Sequence, residues 1–335
     1  MTAELAITMG TTNTAIYVAG NGIVLYEPTA IAYFGDPKLG KVRAVGKEAV
    51  ALLGRSSDNT SVIYPITDGY ITNPEACKDM LSEFLKKLFT PKLFGYKIKA
   101  IVGLPIGITI EERRIYDDIF AKIGLNEIIA VENIYLTAVG LNLPIHSHKM
   151  HFVVNIGGGI TEISAISSSD IVKGCSISIG GNMMDKAVRD YVLGKFDFKL
   201  SLRTISKIKE TIGSLYSNDT SCMTVTGVDL ARRVPGELRI KATDIMEAIM
   251  PYYLRIADGV ESVIKSVSPD VGFDLISGGL HFAGGGSNVL GLNKLMSERF
   301  SVPINVHADG EFSAIYGAGK LLSDVVLLNE ILTKH

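Results

Sequence analysis

The chain has 335 residues, a net charge of −2 and 47% hydrophobic residues, with a mean hydropathy of +0.28, which suits two domains of roughly 100–200 residues each. No run of about 18 apolar residues is present, so no membrane-spanning helix is expected, and the start Met1-Thr2-Ala3-Glu4 lacks the regions of a signal peptide. Dispersed lysines and arginines argue against nucleic acid as a partner, and Cys77, Cys175 and Cys222, odd in number and without metal spacing, read as reduced thiols.

Strands at about 5–9, 14–18 and 22–26 form a meander, with a tight turn at Gly20-Asn21-Gly22. A strand near 29–34 and a polar segment through about 60 follow. Asn73-Pro74-Glu75 opens a helix, because Asn caps and Pro suits the first turn; Cys77, Met80, Leu81, Phe84, Leu85 and Leu88 are its apolar face. Lys99–Gly103 reads as a short buried strand. Thr109 and Glu112 have capping-box spacing before a helix whose Ile115, Ile119, Phe120 and Ile123 face inward, and Gly124 stops it. After a strand near 127–131 and a helix near 133–141, the segment 143–148 connects two halves.

The second half restarts the meander at about 151–156, 161–167 and 171–179, then continues with helices from about 183 and over 202–216. Short strands over 222–240, a helix over 242–266, a strand at 279–283, a helix to about 300, a strand at 303–306 and a closing helix from 310 complete it. His146, His148 and His151, near the connection, suit solvated roles better than metal ligation.

Two stretches are copies of one device. Ile7-Thr8-Met9-Gly10-Thr11-Thr12-Asn13-Thr14-Ala15-Ile16 lines up without a gap on Val154-Asn155-Ile156-Gly157-Gly158-Gly159-Ile160-Thr161-Glu162-Ile163. Each is strand, Gly/Thr/Asn turn, strand, and such a turn brings backbone N–H groups close to an anion, with glycine permitting close approach and positive φ. Two of them facing across a cleft would grip a polyphosphate.

On these residues, with Gly22–Pro28, Ala44–Ala49, Asp68-Gly69, Leu104-Pro105, Glu111–Arg114, Lys209 with Ile212-Gly213-Ser214, and Gly284-Gly285-Gly286, the chain resembles the actin–Hsp70–sugar kinase superfamily and, within it, the bacterial actins of the MreB type. The resemblance runs over nearly the whole chain, and no separate peptide-binding domain of the Hsp70 kind is expected. It implies an α/β actin-like fold of two related domains, each with a mixed five-stranded sheet flanked by helices and a smaller subdomain. Domain I is expected over 1–145 and 315–335 with its subdomain at about 33–72; domain II spans 146–314 with its subdomain at about 182–243.

It also implies ATP or ADP in the cleft, contacted by Gly10, Thr11, Thr12, Asn13, Gly157, Gly158, Gly159, Lys209, Gly284, Gly285, Gly286 and Ser287. In the family each turn starts with an Asp that organises Mg²⁺; here those positions are Thr8 and Asn155, so a weakened Mg²⁺ site is expected. The family's water-positioning second Glu is Asn133, which can orient a water but cannot accept its proton, and the ribose-contacting Glu aligns with Ser206. Thr161 is placed at the nucleotide rather than read as a plain strand threonine. Glu132 lies one residue off the catalytic position, where a solvated or structural role also suits it. Losing carboxylates lowers catalysis more than binding, since positioning and charge stabilisation supply nearly all of phosphoryl transfer, while the triphosphate meets less repulsion.

In the family an apolar loop at Leu93-Phe94 enters the bilayer surface, and Lys92, Lys97 and Lys99 beside it suit anionic lipid; packing beneath a loop is the other reading. The function expected from the resemblance is an ATP-binding cytoskeletal protein with at most weak ATPase activity. It would form filaments, as paired antiparallel protofilaments, at the inner face of the cell membrane, with the membrane surface and paralogous chains as further partners. Cell shape is the expected task; divergent paralogues in wall-less bacteria support helical shape and swimming, and the lost carboxylates suit that kind. Two alternatives remain: an efficient ATPase or phosphotransferase of the same superfold, and a nucleotide-binding membrane adaptor that does not polymerise.

Overall fold

A computed structural model describes residues 2–35, 40–54, 59–89, 97–125 and 127–332. Leu93 and Phe94 lie outside the described residues.

The meander Thr2–Met9, Asn13–Val18 and Gly22–Pro28 is antiparallel, and Lys97–Leu104 and then Glu127–Glu132 join the first strand's other edge in parallel. The second half repeats this order. His151–Ile156, Thr161–Ser167 and Asp170–Ile177 are antiparallel, and Leu280–Ala283 and Ile304–Val306 add in parallel beyond the first of them. The duplication in sequence is thus a duplication in register, with Ile7 opposite Ile16 in one hairpin and Val154 opposite Ile163 in the other. Each half also carries a small three-stranded sheet, at 31–63 and at 198–241.

Local signals account for several helix ends. Asn73 accepts the Ala76 amide before Pro74–Leu88, and Thr109 and Glu112 close a reciprocal capping box on Ile110–Lys122. The helix expected over 202–216 ends at Ile212, because Gly213 turns extended, and a Cβ there would collide with the Lys209 carbonyl. The polar segment before residue 60 holds the strand Lys41–Val45 and the helix Lys47–Ala51, and Thr60–Ile63 pairs with Ile31–Phe34. The helix expected after Ala283 starts only at Leu292, after a 3-10 turn at Gly285–Asn288.

Each half has its own apolar core, one around Leu81, Phe84 and Phe120, the other around Ile205, Ile249 and Phe282. A third cluster joins them: Ala6 and Ile101 from one sheet and Val153 and Ile166 from the other meet Tyr135, Leu136, Ile315 and Leu321. Those last four belong to Asn133–Gly140 and Ser313–Ser323, helices that touch backbone to backbone: a Cβ on Gly140 would strike the Ser313 carbonyl, and one on Gly317 the Leu136 carbonyl. The halves are therefore joined through a glycine-mediated helix pair.

Candidate functional site

Both hairpin turns open onto one cleft of about 470 Å³, within the range of small-ligand sites. The Gly10 amide donates to the Asn13 carbonyl at 2.9 Å, and the Gly157 amide donates to the Ile160 carbonyl at 2.9 Å, so the turns share one geometry. Neither turn has a glycine of positive φ, contrary to the expectation from composition. Close approach demands glycine at 158 and 159: a Cβ on Gly158 would collide with the Thr12 side chain and one on Gly159 with the Thr11 hydroxyl, where the two turns meet. Gly284 does need positive φ, at 83°, and its bare Cα lies against the Ile156 carbonyl.

Of the residues expected from sequence, Thr8, Gly10, Thr11, Thr12, Asn13, Asn133, Asn155, Gly157, Gly158, Ser206, Lys209 and Gly284–Gly286 line the cleft. Four expected residues do not. Thr161 is wholly buried and its hydroxyl donates to the Ile179 carbonyl at 2.7 Å, which makes it a strand threonine fastening the hairpin to the next turn. Ser287 is buried and donates to the Ala283 carbonyl, holding its own loop. Gly159 packs under Asp68 and Gly69, where the Gly69 amide donates to Thr11 Oγ1 at 2.8 Å. Glu132 precedes the helix as its extended cap residue, off the lining, while Asn133, one residue on, turns inward. The Asn133 Oδ1 is buried without a hydrogen-bond partner and fits over Gly103, where a Cβ would strike it. An orphaned buried acceptor of this kind is costly unless something in the cleft donates to it.

The cleft also contains carboxylates that residue patterns did not reveal. Asp185 accepts the Ser206 hydroxyl and pairs with Lys209 Nζ at 2.8 Å, and Lys209 also donates to the Gly181 carbonyl at 2.8 Å. Glu210 lines the cleft one helical turn after Ser206, a spacing that places both on one face and was the available signal. Glu311 accepts from the Tyr26 hydroxyl at 3.4 Å, and Asn13 Nδ2 donates to that hydroxyl at 3.0 Å; burial, with Glu311 beside it, pushes Tyr26 up to about 12. Tyr253, from the helix Ala242–Ser266, donates to the Gly286 carbonyl at 2.6 Å and pins the glycine loop. Behind Asn155, Glu162 is buried, and that burial raises its carboxyl to about 7, against the pull of hydrogen bonds from Ile106 and Asn155.

The donor set fits a nucleotide. Walls of bare backbone that a Cβ would obstruct suit phosphate, and the helix face with Ser206, Lys209 and Glu210 offers polar contacts to a sugar or base. The fit to Mg²⁺ is looser: Thr8 and Asn155 supply neutral oxygens, which suit the waters of a hydrated ion better than direct ligation. Among the described residues no group of three His, Cys, Asp or Glu is arranged to hold a metal.

Known proteins resemble the chain along its length. The family model described as MreB/Mbl protein matches residues 2–330. The cell shape-determining protein MreB of Escherichia coli K12 is 33% identical over 324 residues, covering 95% of this chain and 93% of that one. The cell shape-determining protein Mbl of Bacillus subtilis is 30% identical over 323 residues, covering 96% of each. MreB5 of Spiroplasma citri, solved bound to ADP, superposes with a TM-score of 0.90 at 27% identity over 98% of both chains. A MamK double helical filament shares the fold at a TM-score of 0.81 and 19% identity, covering 97% of this chain and 99% of that one. With two mixed five-stranded sheets of the same order about one cleft, the chain is an actin-like protein and belongs to the MreB/Mbl family.

Proposed function

We propose that this chain is an ATP-binding bacterial actin that polymerises into filaments at the inner membrane face, governs cell shape, and hydrolyses ATP weakly. The observation that carries the reading is the pair of matching turns meeting across one glycine-walled cleft. The Spiroplasma neighbour bound to ADP, and another structure of it bound to AMPPNP at a TM-score of 0.91 and 25% identity, support nucleotide binding, and MamK supports self-association. Domain I over 1–145 and 315–335 and domain II over 146–314 would then close on the nucleotide about the paired helices, with paired antiparallel protofilaments and paralogous chains as partners.

In the site, the two turns bind the phosphates and Lys209, Ser206 and Glu210 the sugar and base. A bound Mg²⁺ would supply charge neutralisation, and Thr8 and Asn155 are the residues that would hold it, through their neutral oxygens. Asn133 would orient the attacking water but could take no proton from it, which would leave the step slow.

Phosphate release from polymerised protein is therefore expected at least about tenfold below that of a family member with the full carboxylate set, a barrier difference of about 1.4 kcal/mol. Asn133→Glu should raise it. Pelleting in ATP, ADP and without nucleotide should give polymer that responds little to nucleotide state. Equal hydrolysis rates would reject the weak-ATPase reading, and no polymer at many micromolar would favour the adaptor.

Membrane binding is proposed to use Leu93 and Phe94, which offer about 2–5 kcal/mol if both insert, enough only when many subunits share a surface. Liposome co-sedimentation should then require polymer, and Leu93→Ser with Phe94→Ser should abolish it while filaments persist. A double variant that still sediments with liposomes puts the anchor elsewhere; one that fails to fold makes the pair core.

A further inference from the structure

Within the second hairpin, Glu162 stands directly opposite Asn155 in strand register and is only 2% exposed. Its Oε1 accepts the backbone N–H of Ile106 at 3.0 Å, and its Oε2 accepts Asn155 Nδ2 at 3.2 Å. Ile106 follows the strand Lys97–Leu104, so one carboxylate joins the first half's loop to the second half's turn.

A primary amide side chain has a donor end and an acceptor end, and an ionised carboxylate only accepts. Turning Asn155 around would set its oxygen against the Glu162 oxygen, so the partner decides the orientation. With Nδ2 committed inward, Asn155 Oδ1 faces the Gly284 side of the cleft, 2.6 Å from where a Gly284 Cβ would stand. An asparagine here has two opposite options: to offer N–H to phosphate, or oxygen to a hydrated cation. Glu162 selects the second.

We infer that Glu162 is a positioning residue of the cleft, acting through Asn155 to present an amide oxygen, in place of a carboxylate, toward the cation side of a bound nucleotide. The inference rests on the nucleotide-binding reading above. It explains how a site without an Asp at this position keeps an acceptor there, and why a carboxylate is buried behind it.

The pair is testable by exchanging donor and acceptor. The readout is affinity for a fluorescent ATP analogue, with Mg²⁺ and with EDTA, at about pH 8, where the carboxylate is ionised. Wild type should bind several-fold tighter with Mg²⁺. In Glu162→Gln, the new Nε2 donates to Asn155, turns its amide over and presents Nδ2 to the cleft. The Mg²⁺ enhancement should fall at least about fivefold while EDTA affinity stays within about twofold. Adding Asn155→Asp to Glu162→Gln restores an acceptor facing the cleft, and the enhancement should return. A merely structural role for Glu162 would not be rescued in this way.

Should Glu162→Gln fail to fold, Asn155→Ala carries the same expectation, since it removes the amide and leaves the Ile106 contact. Full Mg²⁺ enhancement in Glu162→Gln or in Asn155→Ala, no recovery in the double variant, or wild type that binds nucleotide indifferently to Mg²⁺ would each overturn the inference while nucleotide binding stands. Wild type that binds no nucleotide in either condition overturns both.

Discussion

Gly158→Val is expected to weaken nucleotide binding by at least about 100-fold, or about 2.7 kcal/mol. The reason is steric. A Cβ at this residue would overlap the Thr12 side chain and lies 3.5 Å from the Thr12 amide, so the two turns cannot keep their approach. The Gly158 carbonyl is also tied down, accepting the Asn182 amide at 2.8 Å, which prevents the turn from backing away. Val adds branching to that Cβ and spreads the jaws that would hold the phosphates. Titration of a fluorescent nucleotide analogue measures the effect. Partial recovery on adding Thr12→Gly would trace it to this contact, whereas a Gly158→Val affinity within about threefold of wild type would show that the turns do not grip the ligand together.

Gly317→Val is expected to cost at least about 3 kcal/mol of stability, lowering the melting temperature by about 4 °C for a chain of this length. Its Cβ would strike the Leu136 carbonyl and lie 2.9 Å from the Gly140 amide, and main chain cannot yield as a side-chain tip can. Both helices also carry the cluster shared by the two sheets, so parting them opens that core as well. Gly194→Ala is the control. It sits inside the helix Gly181–Phe196 with nothing within 4 Å of an added Cβ, and alanine there should be neutral or stabilising by up to about 1 kcal/mol. Calorimetry on the pair distinguishes a close approach of backbones from a general intolerance of larger residues. A Gly317→Val protein that melts within about 1 °C of wild type would refute the helix contact.

Much of the fold is written locally and was legible in sequence. The cap at Asn73, the box at Thr109 and Glu112, the helix 242–266 and both meanders are set by residues within a few positions of each other. About half of the cleft lining was legible for a related reason: the two hairpins are one device copied, and a copy can be aligned before its surroundings are known.

Decisions that depend on distant partners were not legible. From sequence both Thr161 and Thr12 are expected at the nucleotide, yet a buried carbonyl at Ile179 claims one and the other meets Gly158 from the opposite half. Composition suggested positive φ for the turn glycines, but what demands glycine at 158 is the approach of Thr12, 146 residues away in sequence. The strands at 41–45 and 60–63 have only half-hidden faces, so their weak alternation became strand only by pairing with or near Ile31–Phe34. Asp185 with Lys209, and Glu162 with Ile106, are contacts across elements far apart in the chain. By itself the sequence determined the local elements, the duplication and the family resemblance. Tertiary structure alone added Asp185, Glu210, Tyr253 and Glu311 to the cleft and withdrew Thr161 and Ser287 from it, because a buried polar group goes where its partner is.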